Sequence, residues 1–319
     1  MDRVLNGRAK VREETARRVQ EAAQRIGFHA VGLIHQRLAS ADPDLTIGYV
    51  LPKEKQAFFQ AFKAVAERPE DGRVRAVLSF SPSQSPADFV HRMEALAPRV
   101  DAIAATAVAH MDVADAVQRI QATGRPCFAL MNDFAQGIRQ SYIGLNNMKA
   151  GRIAAHMIAT AVHDPGKVAV FVGGFRWHGH ELRETGFRSY FREHAPGFNV
   201  LETRVNLETR QLTYDATHDL LKQHSDLRGI YCAGGGMEGA IAALREARDP
   251  GDVALVVHEL TPESRHALDE RYLSMAIATP VEQMCRDLAS VARRVVEGET
   301  TPRPGQHFLR PDLYLPESL

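Results

Sequence analysis

The chain has 319 residues, a formal net charge of zero at pH 7 and 45% hydrophobic residues, which gives room for about two domains with buried cores. No run of 18 apolar residues occurs, so the sequence predicts no membrane span and no membrane partner. The first residues are charged rather than apolar, so no secretory signal is predicted and a cytoplasmic location is expected. Cys127, Cys232 and Cys285 lie far apart among apolar neighbours, which predicts buried thiols with neither a disulfide nor a metal site. No cofactor is expected.

The first forty residues differ from the rest of the chain in charge. From Arg3 to Arg18 six residues are basic and two are acidic. After Val11 apolar residues recur at the spacing of one helical face, and Gly27 follows as a stop. A local basic surface on a neutral protein favours a polyanionic partner, and a solvated amphipathic helix is the alternative interpretation.

From Leu45 onwards short apolar runs alternate with amphipathic stretches. Strands are predicted at 45–51, 73–80, 100–106, 126–132, 141–147, 167–174, 199–205, 229–235, 253–260 and 273–279, with short strands in the tail after 301. Helices are predicted at 55–68, 87–97, 113–122, 150–162, 182–194, 214–224, 238–247, 263–270 and 281–296. This alternation implies β-α-β units, and therefore parallel sheets with helices on both faces.

Three stretches near the start, DRVLNGR, VREETARRV and AAQRIGF, closely resemble the lactose-repressor family of bacterial regulators. In that family the first stretch ends the recognition helix, and the next helix closes the DNA-binding head. The resemblance implies that Arg3 and Asn6 lie at the DNA and that Lys10, Arg12 and Thr15 meet phosphates.

The segment LIHQRLAS resembles the hinge helix of the same family, whose leucine enters the minor groove. The resemblance implies that Leu38, with Ala39 behind it, is this wedge, and a linker with one ordinary leucine is the alternative. Family heads have roughly 20 further residues before the point where this sequence begins. We therefore hypothesise a start assigned too late, and expect the chain as written to bind specific DNA poorly or not at all.

The remaining chain resembles the periplasmic-binding-protein architecture, which is also the body of that family, in VLPKEKQAFF, YIGLNNMKAGRIAA, RETGF and GIYCAGGG. The resemblance implies an α/β fold with two lobes, each a doubly wound parallel sheet, preceded by a partial all-α helix-turn-helix head and a hinge. The expected limits are 1–29 for the head, 30–44 for the hinge and 45–319 for the body. Lobe 1 is expected over 45–146 and 280–306, and lobe 2 over 147–279 and 307–319, with the ligand between them.

Sugar-binding members place a polar residue and two aromatics after the first strand, where this chain has Gln56, Phe58 and Phe59. Aromatic rings beside polar groups suit the apolar faces and hydroxyl rim of a pyranose, although one phenylalanine is also consistent with a core position. Asn132 and Asp133 end a strand where related proteins bind hydroxyls, and ordinary turn chemistry is the alternative.

Arg183, in the pattern R-x-x-G-F, matches a family arginine that donates two hydrogen bonds to ligand oxygens. Gly234 begins a triple glycine where many members have Asn-Asp, so backbone amides are expected to meet the ligand there. A phosphate loop is disfavoured, because no Lys-Ser/Thr pair follows. Glu259 and Thr279 match further polar contacts, whereas the two histidines before Arg183 alone do not make a metal site.

The sequence therefore predicts a DNA-binding transcriptional repressor whose affinity for operator DNA is controlled by a small sugar-like or polyol effector between the lobes. A homodimer is expected, because a two-fold operator needs two heads. The alternative is a solute- or sugar-binding protein without DNA activity. An enzyme is not expected, since the sequence has no nucleophile elbow, no metal-ligand spacing and no motif with paired carboxylates.

Overall fold

The structure is a computed structural model that describes residues 44–69, 73–298 and 305–319. The strands are β1 (Leu45–Pro52), β2 (Val74–Ser81), β3 (Ala102–Ala105), β4 (Cys127–Leu130), β5 (Ser141–Leu145), β6 (Lys167–Val172), β7 (Asn199–Val200), β8 (Arg204–Val205), β9 (Leu227–Cys232), β10 (Ala254–His258), β11 (Met275–Ala278), β12 (Gly305–Leu309) and β13 (Asp312–Tyr314). The helices are α1 (Ala57–Ala66), α2 (Pro86–Leu96), α3 (Met111–Ala122), α4 (Asn147–Ala161), α5 (His178–His194), α6 (Arg210–Gln223), α7 (Met237–Ala247), α8 (Pro262–Asp269) and α9 (Val281–Val296).

The strands form two separate sheets, each covered by helices. The first sheet has the order β2-β1-β3-β4-β5-β12, and all of its strands are parallel. The second has the order β7-β6-β9-β10-β11-β13, with β8 also paired to β6, and only β13 runs antiparallel to its neighbour. Strands such as β1 are buried along their whole length, because helices cover both faces of a parallel sheet. The predicted two-lobed α/β fold is thereby confirmed.

The chain passes between the two lobes three times. We call the first sheet with its helices lobe 1 and the second lobe 2. The crossings follow β5, which leads into α4, then β11, which leads into α9, and finally β12, which leads into β13. The last crossing comes after Leu309, later than the predicted boundary at 306, because β12 completes its pairing with β5 before the chain leaves lobe 1.

The predicted DNA-binding head and all of the hinge except Asp44 lie outside the described residues. The predicted DNA contacts Arg3, Asn6, Lys10, Arg12, Thr15, Leu38 and Ala39 are therefore not described by the structure. Among the residues that it does describe, no helix is both long and apolar enough to span a membrane.

Helices α4 and α5 in lobe 2 approach each other closely at two glycines. A Cβ on Gly151 would overlap the carbonyl oxygen of Arg183, and a Cβ on Gly186 would overlap the carbonyl oxygen of Met148. Only glycine lets the two backbones come this near. The approach brings Arg183 on α5 beside Asn147, the first residue of α4.

We expect Gly186→Ala to destabilise the protein by about 2 kcal/mol, because the added methyl group forces α4 and α5 apart. In an unconstrained helix the same change stabilises by up to about 1 kcal/mol, so the sign of the effect is diagnostic. Urea unfolding measures the difference. Gly197→Ala, in the loop after α5, is the control, since a Cβ there meets only the ring of Pro165 at 3.3 Å. A more stable Gly186→Ala protein would contradict the close approach.

Candidate functional site

A cleft of about 850 Å³, including the space open to solvent, lies between the two lobes. Strand order reverses between β1 and β3 in lobe 1 and between β6 and β9 in lobe 2. Loops that follow the strands on either side of such a reversal separate and leave a crevice at the carboxyl ends of the strands. The cleft is lined by residues that follow these strands and their neighbours, including Gln56, Phe58, Phe59, Thr106, Asn132, Trp177, His180, Arg183, Glu208, Gly234, Glu238, His258, Glu259 and Thr279.

The aromatic part of the lobe 1 wall comes from the start of α1. Phe58 and Phe59 pack edge to face with 5.1 Å between ring centroids. Phe59 also belongs to the hydrophobic core, whereas Phe58 is only half-buried. Gln56, the residue before α1, comes near Gly235 on the opposite wall. The three residues predicted for this wall therefore all border the cleft, with Phe58 the more accessible ring.

Asn132 and Asp133, although adjacent, have different positions. Asn132 lines the cleft, donates to the Ala107 carbonyl at 2.6 Å and accepts from the Gly179 amide of lobe 2 at 2.8 Å. Asp133 does not line the cleft. Its carboxylate is buried against Arg139, with distances of 2.5 and 2.8 Å, and also accepts from Gln306 at 3.0 Å. A carboxylate enclosed by protein donors is not available to a ligand.

Arg183 is fixed on the lobe 2 wall by two hydrogen bonds. Its Nε donates to Asn147 Oδ1 at 2.7 Å, and its Nη1 donates to the Ala233 carbonyl at 2.7 Å. The side chain is buried yet borders the cleft, and its Nη2 donates to none of the described residues. The guanidinium is therefore held in one orientation with a donor left for another molecule.

Glu208 and Lys53 form an ion pair across the cleft that the sequence did not predict. Lys53 Nζ in lobe 1 lies 2.8 Å from Glu208 Oε2 in lobe 2, and the other carboxylate oxygen accepts from the Gly235 amide at 3.1 Å. Both residues have positive φ angles, 51° for Lys53 and 53° for Glu208. The only indirect sign in the sequence is the triple glycine, because a Cβ on Gly234 would lie 2.9 Å from Glu208 Oε1.

His180 occupies the remaining space beside Gly234, where a Cβ would come within 2.5 Å of its ring. Its Nδ1 accepts a hydrogen bond from the Gly173 amide at 3.1 Å, and its Nε2 lies 3.7 Å from Glu208 Oε1. Burial lowers the pKa of His180 to about 4, with Arg183 and Lys53 lowering it further and Glu208 opposing them. A proton on Nδ1 would also face the Gly173 N–H, so the neutral ring is the form that fits.

Glu259 and Thr279 meet at the other end of the lobe 2 wall. The two carboxylate oxygens of Glu259 accept from the Thr279 amide at 2.9 Å and from its hydroxyl at 2.8 Å. Burial raises the pKa of the Glu259 carboxyl, and the hydrogen bonds from Thr279 oppose this effect. The pair places one acidic group at the cleft, and within the described part of the chain no cationic side chain is bonded to it. Among the described residues, no group of three or more His, Cys, Asp or Glu side chains could hold a metal ion.

Contacts made by the protein itself join the two lobes. Lys53 pairs with Glu208, Asn132 accepts from the amide of Gly179, and the Ala109 amide donates to the Arg176 carbonyl at 3.0 Å. The structure therefore shows a closed arrangement of the two lobes.

Comparison with known proteins agrees with this architecture. Residues 47–300 match the family described as periplasmic binding protein domain. The ribose import binding protein of Escherichia coli K12 is 25% identical over 273 residues, which cover 85% of this chain and 91% of the relative. The D-apiose import binding protein of Paraburkholderia graminis is 22% identical over 196 residues, 61% of this chain and 62% of that protein.

Solved structures share the fold over most of the chain. The periplasmic solute binding protein of an ABC transporter from Actinobacillus succinogenes 130z, with bound D-allose, has a TM-score of 0.79 and 19% identity, covering 86% of this chain and 99% of that one. A solute binding protein from Bacillus halodurans C-125 with bound myo-inositol has a TM-score of 0.74 and 18% identity, covering 87% and 96%. At these sequence identities the similarity shows a shared fold.

The relatives overturn the predicted function. The prediction of a transcriptional repressor with operator DNA as its partner is wrong, because a relative that aligns with 85% of the chain is an import binding protein. The prediction of a homodimer was based on a two-fold operator, so it loses its basis as well. A two-lobed body serves repressors and import proteins alike, so its motifs do not separate the two classes. The residues that favoured a repressor precede the matched segment 47–300.

The predicted cytoplasmic location is also wrong by this comparison. It was drawn from the first few residues, whereas the resemblance to import binding proteins extends over most of the chain. The D-allose-bound structure is of a periplasmic solute binding protein. Each of the relatives named above is a binding protein, and none is named as an enzyme.

We expect the stability of the protein to fall between pH 7 and pH 5 by roughly 2 kcal/mol through His180 alone. The unfolded histidine takes up a proton near pH 6.5, whereas the folded ring does so only near pH 4. Its contribution is therefore complete above pH 6.5 and is lost as the pH falls toward 4. Urea unfolding at both pH values should show a smaller difference for His180→Asn, which keeps an acceptor for Gly173. His163→Asn, at an exposed histidine that does not line the cleft, is the control variant.

We expect Lys53→Met to favour opening of the lobes in the absence of ligand by about 2 kcal/mol, because it leaves Glu208 without its charged partner. Small-angle X-ray scattering should show a larger radius of gyration for this variant. Lys63→Met is the matched control, since Lys63 on α1 pairs at 4.0 Å with Glu67, the residue that follows the same helix, and does not cross the cleft. Equal radii for the wild type and both variants would show that the ion pair does not hold the lobes closed.

Proposed function

Because this chain belongs to the periplasmic binding protein domain family, we propose that it binds a neutral monosaccharide or a polyol of similar size in the cleft between its lobes, as the binding component of an uptake system. The observation that carries the proposal is the composition of the cleft. A half-buried aromatic ring, Phe58, borders the same cleft as Asn132 of lobe 1 and Arg183 of lobe 2, whose side chains are held in fixed orientations. A sugar has apolar ring faces and a rim of hydroxyl groups, so its binding requires an aromatic surface together with oriented polar groups.

The charges around the cleft favour a neutral ligand over a phosphorylated one. Three carboxyl groups border it, those of Glu208, Glu238 and Glu259. Lys53 is already paired with Glu208. Of the arginine and lysine side chains described at the cleft, Arg183 is therefore the one that still has a donor, Nη2, without a protein acceptor. A phosphate group would bring about two negative charges next to these carboxylates, with only one guanidinium to compensate.

The ligands named for the relatives belong to this class of compound. Ribose and D-apiose are pentoses, D-allose is a hexose and myo-inositol is a cyclic polyol, and all of them are uncharged. Sequence identities of 25% and below do not transfer a particular sugar to this chain. The proposal therefore names a class of ligand, and it includes no chemical conversion of that ligand.

The proposed ligand contacts are Gln56, Phe58, Phe59, Asn132, Arg183, Gly234, Glu259 and Thr279. The structure brings these residues to one cleft. Asp133, which the sequence grouped with them, is left out because its carboxylate is already occupied by Arg139 and Gln306.

We expect at least one neutral sugar or polyol to raise the melting temperature of the full chain, whereas sugar phosphates do not. A ligand at 100 times its dissociation constant stabilises the native state by about 2.7 kcal/mol, which thermal shift detects readily. The panel should contain D-ribose, D-apiose, D-allose, D-arabinose, D-fucose, D-tagatose and myo-inositol, with ribose 5-phosphate and glucose 6-phosphate as charged comparisons.

For the sugar that binds, we expect Phe58→Ala to weaken affinity about tenfold or more, since the variant removes the accessible aromatic surface. Isothermal titration calorimetry gives the dissociation constant. Phe308→Ala is the matched control, because Phe308 is an exposed phenylalanine of β12 that does not line the cleft. Failure of every neutral compound to bind, or preferential binding of a phosphorylated sugar, would contradict the proposal.

A further inference from the structure

Two residues on opposite walls of the cleft have a buried polar atom without a hydrogen-bond partner. Among the described residues, the few buried side-chain atoms of this kind include Thr106 Oγ1 and His258 Nδ1, and these two residues border the cleft. Both side chains are buried, with 5% of Thr106 and 4% of His258 exposed. Since buried polar groups in native proteins are nearly always paired, two unpaired groups in one cleft point to a molecule that pairs with them.

The neighbours of His258 determine which of its nitrogens carries the proton. Tyr231, which is fully buried, has its hydroxyl 2.7 Å from His258 Nε2. If the hydroxyl donates to Nε2, the ring carries its proton on Nδ1 and only that N–H lacks a partner. If Nε2 donates instead, the buried tyrosine O–H has no acceptor, and Nδ1 is an unpaired acceptor as well. The first arrangement leaves fewer groups unpaired.

The imidazole of His258 remains neutral in the folded protein. Burial lowers its pKa well below the usual range, and the nearby Arg183 and His180 add to this effect. A neutral ring with Nε2 occupied by the tyrosine offers a single N–H donor at Nδ1. A group of this kind pairs with a hydroxyl, ring or carbonyl oxygen.

Thr106 lies on the other wall, directly after β3. Its backbone amide donates to the Val50 carbonyl at 2.9 Å, which anchors the residue to the first sheet. The hydroxyl remains without a protein partner and can both donate and accept. Lobe 1 therefore presents an adaptable group, whereas lobe 2 presents a donor of fixed direction.

We propose that His258 and Thr106 determine which hydroxyl pattern the cleft accepts: the ligand places an oxygen acceptor against the Nδ1–H of His258 and a hydroxyl group against Thr106. Tyr231 acts as a positioning residue that fixes the tautomer of His258. This inference rests on the proposed function, because it assigns the selecting contacts to the cleft that binds the sugar. A sugar without the oxygen at His258 leaves a buried N–H unpaired, and sites built on hydrogen bonds reject such analogues strongly.

The test compares two replacements of His258 that each keep a donor at a different position. Asparagine places its amide close to where Nδ1 stands, and glutamine places its amide close to where Nε2 stands. The ligand is the neutral sugar of the panel above that binds the wild type most tightly, and its affinity is measured by calorimetry. We expect His258→Asn to stay within about threefold of the wild type and His258→Gln to lose about tenfold.

The Thr106 side is tested in the same way. Thr106→Val keeps the shape and removes the hydroxyl, so it should lose about tenfold in affinity, and Thr106→Ser should keep most of it. Thermal unfolding without ligand shows whether each variant is folded. A folded His258→Gln that binds as tightly as the wild type, or a folded Thr106→Val that does so, would overturn the inference.

The tautomer is measured without any ligand. The ¹⁵N chemical shifts of the His258 ring in the full chain should show a protonated Nδ1. In the Tyr231→Phe variant the His258 ring should show a mixture of tautomers. A proton on Nε2 in the wild type would overturn the assigned donor. If the wild type binds no neutral sugar, the proposed function fails together with this inference. Sugar binding that is unaffected by the His258 and Thr106 variants leaves the function standing and removes only the inference.

Discussion

The guanidinium of Arg183 is the point at which the second lobe and the cleft are tied together. It reaches the start of α4 through Asn147 and the end of β9 through the Ala233 carbonyl, while its own residue belongs to α5. These three segments meet only because Gly151 and Gly186 let the backbones of α4 and α5 approach each other. Packing in the lobe and the orientation of a polar group in the cleft therefore depend on the same contact, so small changes in the helix pair also change the wall of the cleft.

The triple glycine after β9 has a related explanation. Side chains at Gly234 would collide with His180 and Glu208, which already fill that part of the wall. The polar groups in this part of the wall come instead from the start of α5 and from the loop before α6, and Glu208 in turn accepts from the Gly235 amide. The triple glycine in place of Asn-Asp therefore does not make this wall apolar. The wall remains polar, but other elements supply its polar groups.

The sequence was sufficient for the order of the elements and for most of the candidate cleft, because both depend on local patterns. Helix α9 begins and ends where its apolar periodicity predicts, at Val281 and Val296. Helix α5 begins at His178, before the predicted start at 182, because its first amide groups are satisfied partly by Asn132 from the other lobe. Contacts such as Lys53 with Glu208, 155 positions apart, have no local signature. For the same reason Asp133 could not be recognised as a partner of Arg139 and Gln306, and the class of protein could not be read from a body that several classes share.

The ion pair between Lys53 and Glu208 has a consequence for how fast a bound molecule can leave. Separation of the lobes must break this pair, the amide contact of Asn132 with Gly179 and the backbone contact between Ala109 and Arg176, whether or not anything occupies the cleft. The barrier to release thus includes a contribution that is independent of the ligand's chemistry. The two charges become exposed to solvent as the lobes separate, and dissolved salt then screens them, so the residence time of any occupant should shorten as ionic strength rises, even for an occupant that carries no charge.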